Sequence, residues 1–195
     1  VGGAVKKIVV VGVGALGSHL VQFLRSTDSE IVAVDFDRVE QKNVLSQFHG
    51  KTGVGKGKAA SLQQTMNFLF GRKVGVVPHM LVPDNAREIL GGADLVVDCL
   101  DNGVSRATVQ NFVRKERIAC LHGALAPDGG FGRAIWDESF SIDDEPSTGA
   151  ATCEDGEHLP FIVLTAAYMA RSVQAFLATG RKTGYSVTPA GAMVT

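Results

Sequence analysis

The chain has 195 residues, with 19 Lys and Arg against 20 Asp and Glu, and 45% of it is hydrophobic. The net charge of -1 argues against a general nucleic-acid or membrane-surface binder, and the length suits one α/β core over residues 1–195. No apolar run reaches the length of a membrane span, and the lysine-bearing start enters a glycine turn with no signal-peptide cleavage site.

Lys7 to Val11 is continuously apolar, which suits a central parallel strand covered on both faces. Gly12, Gly14 and Gly17 follow as G-x-G-x-x-G. The first allows a tight turn, the second lets a phosphate approach the backbone, and the third lets the next helix pack close to its strand. That helix carries Leu16, Leu20, Phe23 and Leu24 on one side, and its N-terminus offers unpaired N–H groups to an anion. A second strand, Glu30 to Val34, ends on Asp35, where a ribose-binding acid is expected.

Residues 36–58 form a long polar connection, and such a connection in a compact domain is usually functional. A helix from Lys58 to Phe70 follows, with Ala59, Leu62, Met66 and Leu69 as its stripe. A strand at Lys73 to Pro78 leads to a short helix, Asp84 to Leu90, with Asp84 as its N-cap. Then come a strand at Asp94 to Cys99, a helix at Val104 to Arg114 and a strand at Ile118 to His122. This alternation predicts a Rossmann-like, doubly wound, mostly parallel sheet.

After His122 the rhythm changes. Ala124 to Trp136 is glycine-rich and reads as a turn with one or two further strands. Asp137 to His158 reads as an irregular acidic loop, the simplest account of which is a solvated surface. Pro160 opens a last helix, Phe161 to Ala178, ended by Gly180 and apolar enough to lie against the sheet or at a subunit interface. The tail from Lys182 shows no pattern. Cys99, Cys120 and Cys153 include no Cys-x-x-Cys pair, so no structural zinc or disulfide framework is expected, and a reducing cytoplasm is the natural compartment. Cys99 and Cys120 lie in apolar strands as core residues, and His158 reads as a loop histidine.

To this point an NAD-dependent dehydrogenase and an ATP-using enzyme fit equally well. The run D-F-D-R-V-E-Q-K-N-V-L-S-Q from Asp35, then V-G-K-G-K and D-C-L-D-N-G-V-S-R, resembles the ThiF/MoeB/HesA superfamily from Lys7 to about Gly180. These enzymes adenylylate the C-terminus of ubiquitin-like and sulfur-carrier proteins. The resemblance implies ATP and Mg2+ as cofactors, a small β-grasp carrier protein as partner, a homodimer, and a crossover loop near the C-terminal end of the fold. It matches Asp35 to the acid that holds the ribose hydroxyls, Asp37 to the second acid of the Asp-x-Asp pair, and Asn43 and Gln47 to residues beside the triphosphate. It matches Lys58 to the Gly-x-x-Lys lysine and Asp101 to the magnesium-binding aspartate, with Asn102 and Arg106 completing Asp-Asn-x-x-x-Arg. Cys153 matches the position where some members carry a reactive cysteine.

The chemistry agrees with these assignments. A carboxylate must attack the α-phosphate of ATP, so two anions must be brought together. Lys58 and a magnesium ion on Asp101 would offset their repulsion, and Asn43 and Gln47 would position the phosphates with neutral hydrogen bonds. Two departures stand out. The family's phosphate-side arginine is Ser46 here, so either Arg38, Lys42, Lys51 or Lys56 substitutes, or the enzyme is slower, or activity has been lost. The sequence also starts almost at the first strand, so the family's arginine-bearing N-terminal helical segment is not expected. Simpler roles stand beside these: Lys58 as a solvated lysine, Asp101 as a helix cap, and Cys153 as an incidental thiol beside Glu154 and Asp155, which would raise its pKa. An NAD-dependent oxidoreductase and a non-catalytic nucleotide-binding scaffold are the rival functions.

Overall fold

The computed structural model describes residues 5–142 and 156–195. β1 (Lys6–Val11), α1 (Ala15–Phe23), β2 (Ser29–Val34), α2 (Lys58–Phe70), β3 (Gly75–Val77), α3 (Ala86–Leu90), β4 (Leu95–Asp98), α4 (Gly103–Glu116) and β5 (Ala119–Leu125) come first. β6 (Gly132–Trp136), α5 (Leu159–Thr179), β7 (Tyr185–Thr188) and β8 (Gly191–Val194) follow. All the strands join one eight-stranded sheet in the order β3-β2-β1-β4-β5-β6-β7-β8. β1 to β5 are parallel, and β6 to β8 are antiparallel. The fold is therefore α/β, with the expected doubly wound parallel half and extra strands beyond it.

Two apolar layers sandwich the parallel half. Ile8 and Val10 of β1 face one layer with α1, α2 and α5, while Val9 and Val11 face the other with α3 and α4. Both sets are fully enclosed. This explains why the strand reads as an unbroken apolar run rather than an alternating one.

Several elements differ from expectation. The tail after Lys182 folds as the β7–β8 hairpin, whose Tyr185 and Val187 enter the core while Ser186 and Thr188 stay half-buried. The Tyr-Ser-Val-Thr alternation is the signal for it. Of the α2 stripe, Ala59, Leu62 and Met66 enter the core, but Leu69 stays exposed at the helix end. The third helix starts at Ala86 behind Asn85, whose side-chain oxygen accepts from Val82 N at 2.9 Å; Asp84 is not its cap. The connection 36–57 is ordered by two 3-10 turns, Gln41–Leu45 and Lys51–Gly53. It is also ordered by main-chain bonds between Val39 and Lys56 and between Gly55 and Val39.

α5 is 21 residues long and, by length and composition alone, apolar enough to cross a membrane, contrary to the sequence reading. Here Phe161, Ile162, Ala166, Met169, Ala170 and Val173 enter the core, and the helix packs on α1 and on β5, β6 and β7. Of the acidic stretch, Asp137 is buried, at 8% exposure, in a 3-10 turn Asp137–Ser139. It is therefore no part of a solvated surface. Cys153 and its flanking acids Glu154 and Asp155 lie outside the described residues.

Candidate active site at the switch point

The strand order reverses between β1 and β4, and a crevice outside the C-terminal ends of such strands is where a doubly wound sheet binds ligands. Val11 is in register with Val34 on one side and Asp98 on the other. The segments that follow, beginning at Gly12, Asp35 and Cys99, therefore emerge side by side. This brings the glycine turn, the acids of the second strand and the Asp101 loop to one edge.

Glycine is required at two points of the turn. Gly12 has φ +86°, and a Cβ there would sit 2.9 Å from the Cys99 carbonyl oxygen. A Cβ on Gly17 would overlap the Gly12 carbonyl oxygen itself. Above Gly14 the nearest group is the Gln47 amide, at 3.8 Å from a Cβ built there, and no side chain caps the N-terminus of α1. That N-terminus is electropositive.

The tip of the turn is clamped from both sides. Val13 N donates to Asp35 Oδ2 at 2.8 Å, and the Val13 carbonyl lies 2.8 Å from His49 Nε2, which donates to it. The other Asp35 oxygen accepts from Asp37 N at 2.9 Å. Burial raises the Asp35 pKa above the ordinary carboxylate value, against the opposing pull of these main-chain donors and of Lys58. Burial also pushes His49 down to about 4, with Lys58 and His19 adding to the effect, so its ring is neutral at pH 7. His19 and Ser18 tie the same connection to α1: His19 Nε2 donates to the Ser46 carbonyl at 3.0 Å, and Ser18 Oγ accepts from Phe48 N at 2.9 Å. Sequence reasoning misses these anchors, because nothing except polar type marks Ser18, His19 and His49.

Lys58 opens α2, and its side chain is only 11% exposed, with Nζ 3.1 Å from Asp37 Oδ2. It is an enclosed, ion-paired lysine at the crevice rather than a solvated one. Asn43 is buried, and its Oδ1 accepts from Glu40 N at 2.8 Å, so it shapes the 40–45 turn. Ser46 Oγ, Gln47 Oε1 and His49 Nδ1 are enclosed without a hydrogen-bond partner among the described residues. Rotating the Gln47 amide by a half-turn exchanges its acceptor for a donor.

The candidate substitutes for the missing arginine differ in availability. The Arg38 guanidinium donates to the Gly55 carbonyl at 2.7 Å, Lys56 to Gln64 Oε1 at 3.0 Å, and Lys42 lies 3.7 Å from Glu40. Lys51 is exposed and has no side-chain partner among the described residues.

Asp101 is exposed and likewise unpartnered among the described residues. The cap of α4 is Asn102, whose Oδ1 accepts from Ser105 N at 2.9 Å. Arg106 turns inward: Nε donates to the Leu100 carbonyl at 2.8 Å, an Nη donates to the Gly123 carbonyl at 2.6 Å, and another lies 3.5 Å from Asp98. Its described partners are thus the supports of the Asp101 loop. Ile142 lies 3.6 Å from a Cβ built on Gly103, and a Cβ on Gly156 would sit 3.1 Å from Leu45. Cys120 is buried in β5 as expected, whereas Cys99 lies just past the end of β4 and is half-buried, packed against the core rather than within it; burial around both thiols pushes their pKa up.

The sequence model of the ThiF family matches residues 4–184. The chain belongs to the ThiF family. It is 35% identical over 147 residues to the SAMP-activating enzyme E1 of Haloferax volcanii, covering 68% of this chain and 54% of that protein. It is 38% identical over 109 residues to the sulfur carrier protein adenylyltransferase of Thermus thermophilus, covering 53% of this chain and 40% of that one. The chain thus spans about half the length, or less, of these curated relatives. Among solved structures, E. coli MccB covers 97% of this chain and 61% of its own at a TM-score of 0.78 and 15% identity, a likeness of fold. E. coli tRNA N6-threonylcarbamoyladenosine dehydratase, solved with ATP, covers 89% of this chain and 87% of its own at a TM-score of 0.63 and 20% identity.

Proposed function

We propose that the chain binds ATP across the C-terminal ends of β1, β2 and β4 and adenylylates the C-terminal carboxylate of a small β-grasp protein of the ubiquitin-like or sulfur-carrier kind. The observation that carries this reading is the enclosed Lys58 on Asp37, beside the glycine turn and Asp35. A triphosphate needs such a cation, and hydride transfer from NAD gives it no task. The names of the two curated relatives support the carrier class.

In the reaction a carboxylate oxygen of the carrier attacks the α-phosphorus, the bond from that phosphorus to the bridging oxygen breaks, and pyrophosphate leaves. Lys58 offsets the charge that gathers on the phosphates. Asp35 accepts from the ribose hydroxyls, and the Gln47 amide over Gly14 donates to a phosphate oxygen. No general base is required, because a peptide carboxylate is ionised at neutral pH. Magnesium, when bound, supplies further charge neutralisation. Asp101 fits it, being exposed and unpartnered among the described residues, since Mg2+ takes one or two carboxylates together with substrate phosphates.

The acyl group then passes to a thiol, either Cys153 or that of a separate sulfur donor or conjugating enzyme: its sulfur attacks the acyl carbon, the bond from that carbon to the phosphate oxygen breaks, and AMP leaves; the cytoplasm is the proposed compartment. A homodimer is proposed on the exposed Phe68, Leu69 and Phe70 at the end of α2, and sedimentation of the wild type and of Phe68→Ser tests it. ATP–pyrophosphate exchange with candidate carriers tests the main reading: exchange that appears with one carrier and vanishes in Lys58→Ala supports it. The buried, neutral Ser46 favours a second reading, a nucleotide-binding scaffold. ATP binding without exchange under any carrier would select that reading.

A further inference from the structure

A charged network lies behind the Asp101 loop, in a layer that is otherwise apolar. His122 in β5 is fully enclosed, with Nδ1 2.7 Å from Asp98 Oδ2 and Nε2 3.1 Å from Asp137 Oδ1. Phe140 stacks on its ring at 3.9 Å between centroids, and Cys120 Sγ lies 3.5 Å from Nε2. Asp98 is also fully enclosed, and its Oδ1 accepts from Leu100 N at 2.9 Å. Arg106 holds the Leu100 carbonyl. Both main-chain groups of Leu100 are therefore tied to the pair that His122 supports, and Asp101 is the next residue. On the far side Asp137 accepts from Gln110 Nε2 at 2.9 Å and Arg114 Nε at 2.7 Å, both on α4, the helix that follows Asn102.

We infer that His122 is a positioning residue for the Asp101 loop, acting through Asp98 and Leu100, and that it sets how tightly the protein holds ATP together with magnesium. The inference rests on the adenylylation reading above. A buried ionic cluster is weak as a source of stability, because apolar residues of like volume do as well or better. That equivalence holds for the cluster replaced as a whole; an apolar side chain at position 122 alone leaves the enclosed Asp98 short of a partner, and the thermal unfolding reads that loss of stability separately from the ATP affinity. What the histidine adds is direction: it holds one Asp98 oxygen so that the other is presented to Leu100 N.

The test is ATP binding to the full chain by calorimetry, with Mg2+ and with EDTA, alongside thermal unfolding. His122→Leu is expected to weaken Mg2+-ATP binding roughly tenfold and to leave binding in EDTA unchanged. In an Asp101→Ala background it is expected to add no further loss. His122→Gln, which keeps a donor for Asp98, is expected to recover part of the affinity and serves if His122→Leu does not fold. Equal losses with and without Mg2+, or losses that add to those of Asp101→Ala, overturn the inference. Wild-type binding that ignores Mg2+ also overturns it. A wild type that binds no ATP removes the adenylylation reading itself, whereas Mg2+-dependent binding that both His122 variants retain removes only the role of His122.

Discussion

Under the proposed adenylylation, Lys58 has a chemical task at this site and His49 a supporting one. Lys58 pairs with a half-exposed Asp37, so the pair contributes little to folding, on the order of 1 kcal/mol or less. Lys58→Ala should therefore leave the unfolding midpoint nearly unchanged while exchange falls about a hundredfold or more. His49 behaves oppositely. Its folded pKa of about 4 lies below the ordinary value of 6.5, so between those values the unfolded chain binds more protons. Stability is then complete above about pH 6.5 and falls as the pH drops toward 4, by on the order of 3 kcal/mol. His49→Gln should flatten that limb in urea titrations at pH 5 and pH 7.5, with His19, also lowered by burial, leaving a residual slope. An unchanged limb would show that His49 is not the buried neutral group.

At the scale of elements, the start of α4 separates two neighbours that the motif places together. Asn102 caps the helix and Asp101 does not. Asn102→Ala should cost about 1 kcal/mol of stability, and Asp101→Ala almost none, while Asp101→Ala is the more damaging to exchange. Thermal melts and exchange assays on the two variants check this, and a large loss of stability in Asp101→Ala would count against it. The glycine turn was legible because its constraint is local: a strand, a tight turn and a helix packed on that turn admit few residue types. The capping boundary was not, since Asp and Asn are both good caps and the backbone decides between them.

For the molecule as a whole, the β7–β8 hairpin closes the antiparallel half of the sheet. Removing residues 181–195 strips Tyr185 and Val187 from the core, a loss of about 4 kcal/mol from burial alone, and leaves β6 as an open edge. The truncated chain should melt earlier and bind a hydrophobic dye, and an unchanged melt would contradict this account of the hairpin. α5 shows the same dependence on context: its apolar faces are matched by α1 and the sheet.

The order of strands and helices from Lys6 to Leu125, the glycine turn and the acid Asp35 were all readable from local pattern, because period, turn chemistry and charge act between near neighbours in the chain. The tertiary structure alone decided the rest. It turned Arg106 inward onto Leu100 and Gly123, enclosed Lys58 against Asp37, set His49 beneath Val13, and joined Asp98, His122 and Asp137 across three separate segments. Each depends on which residues face one another across strands and loops far apart in sequence, and burial then sets their charge and their partners.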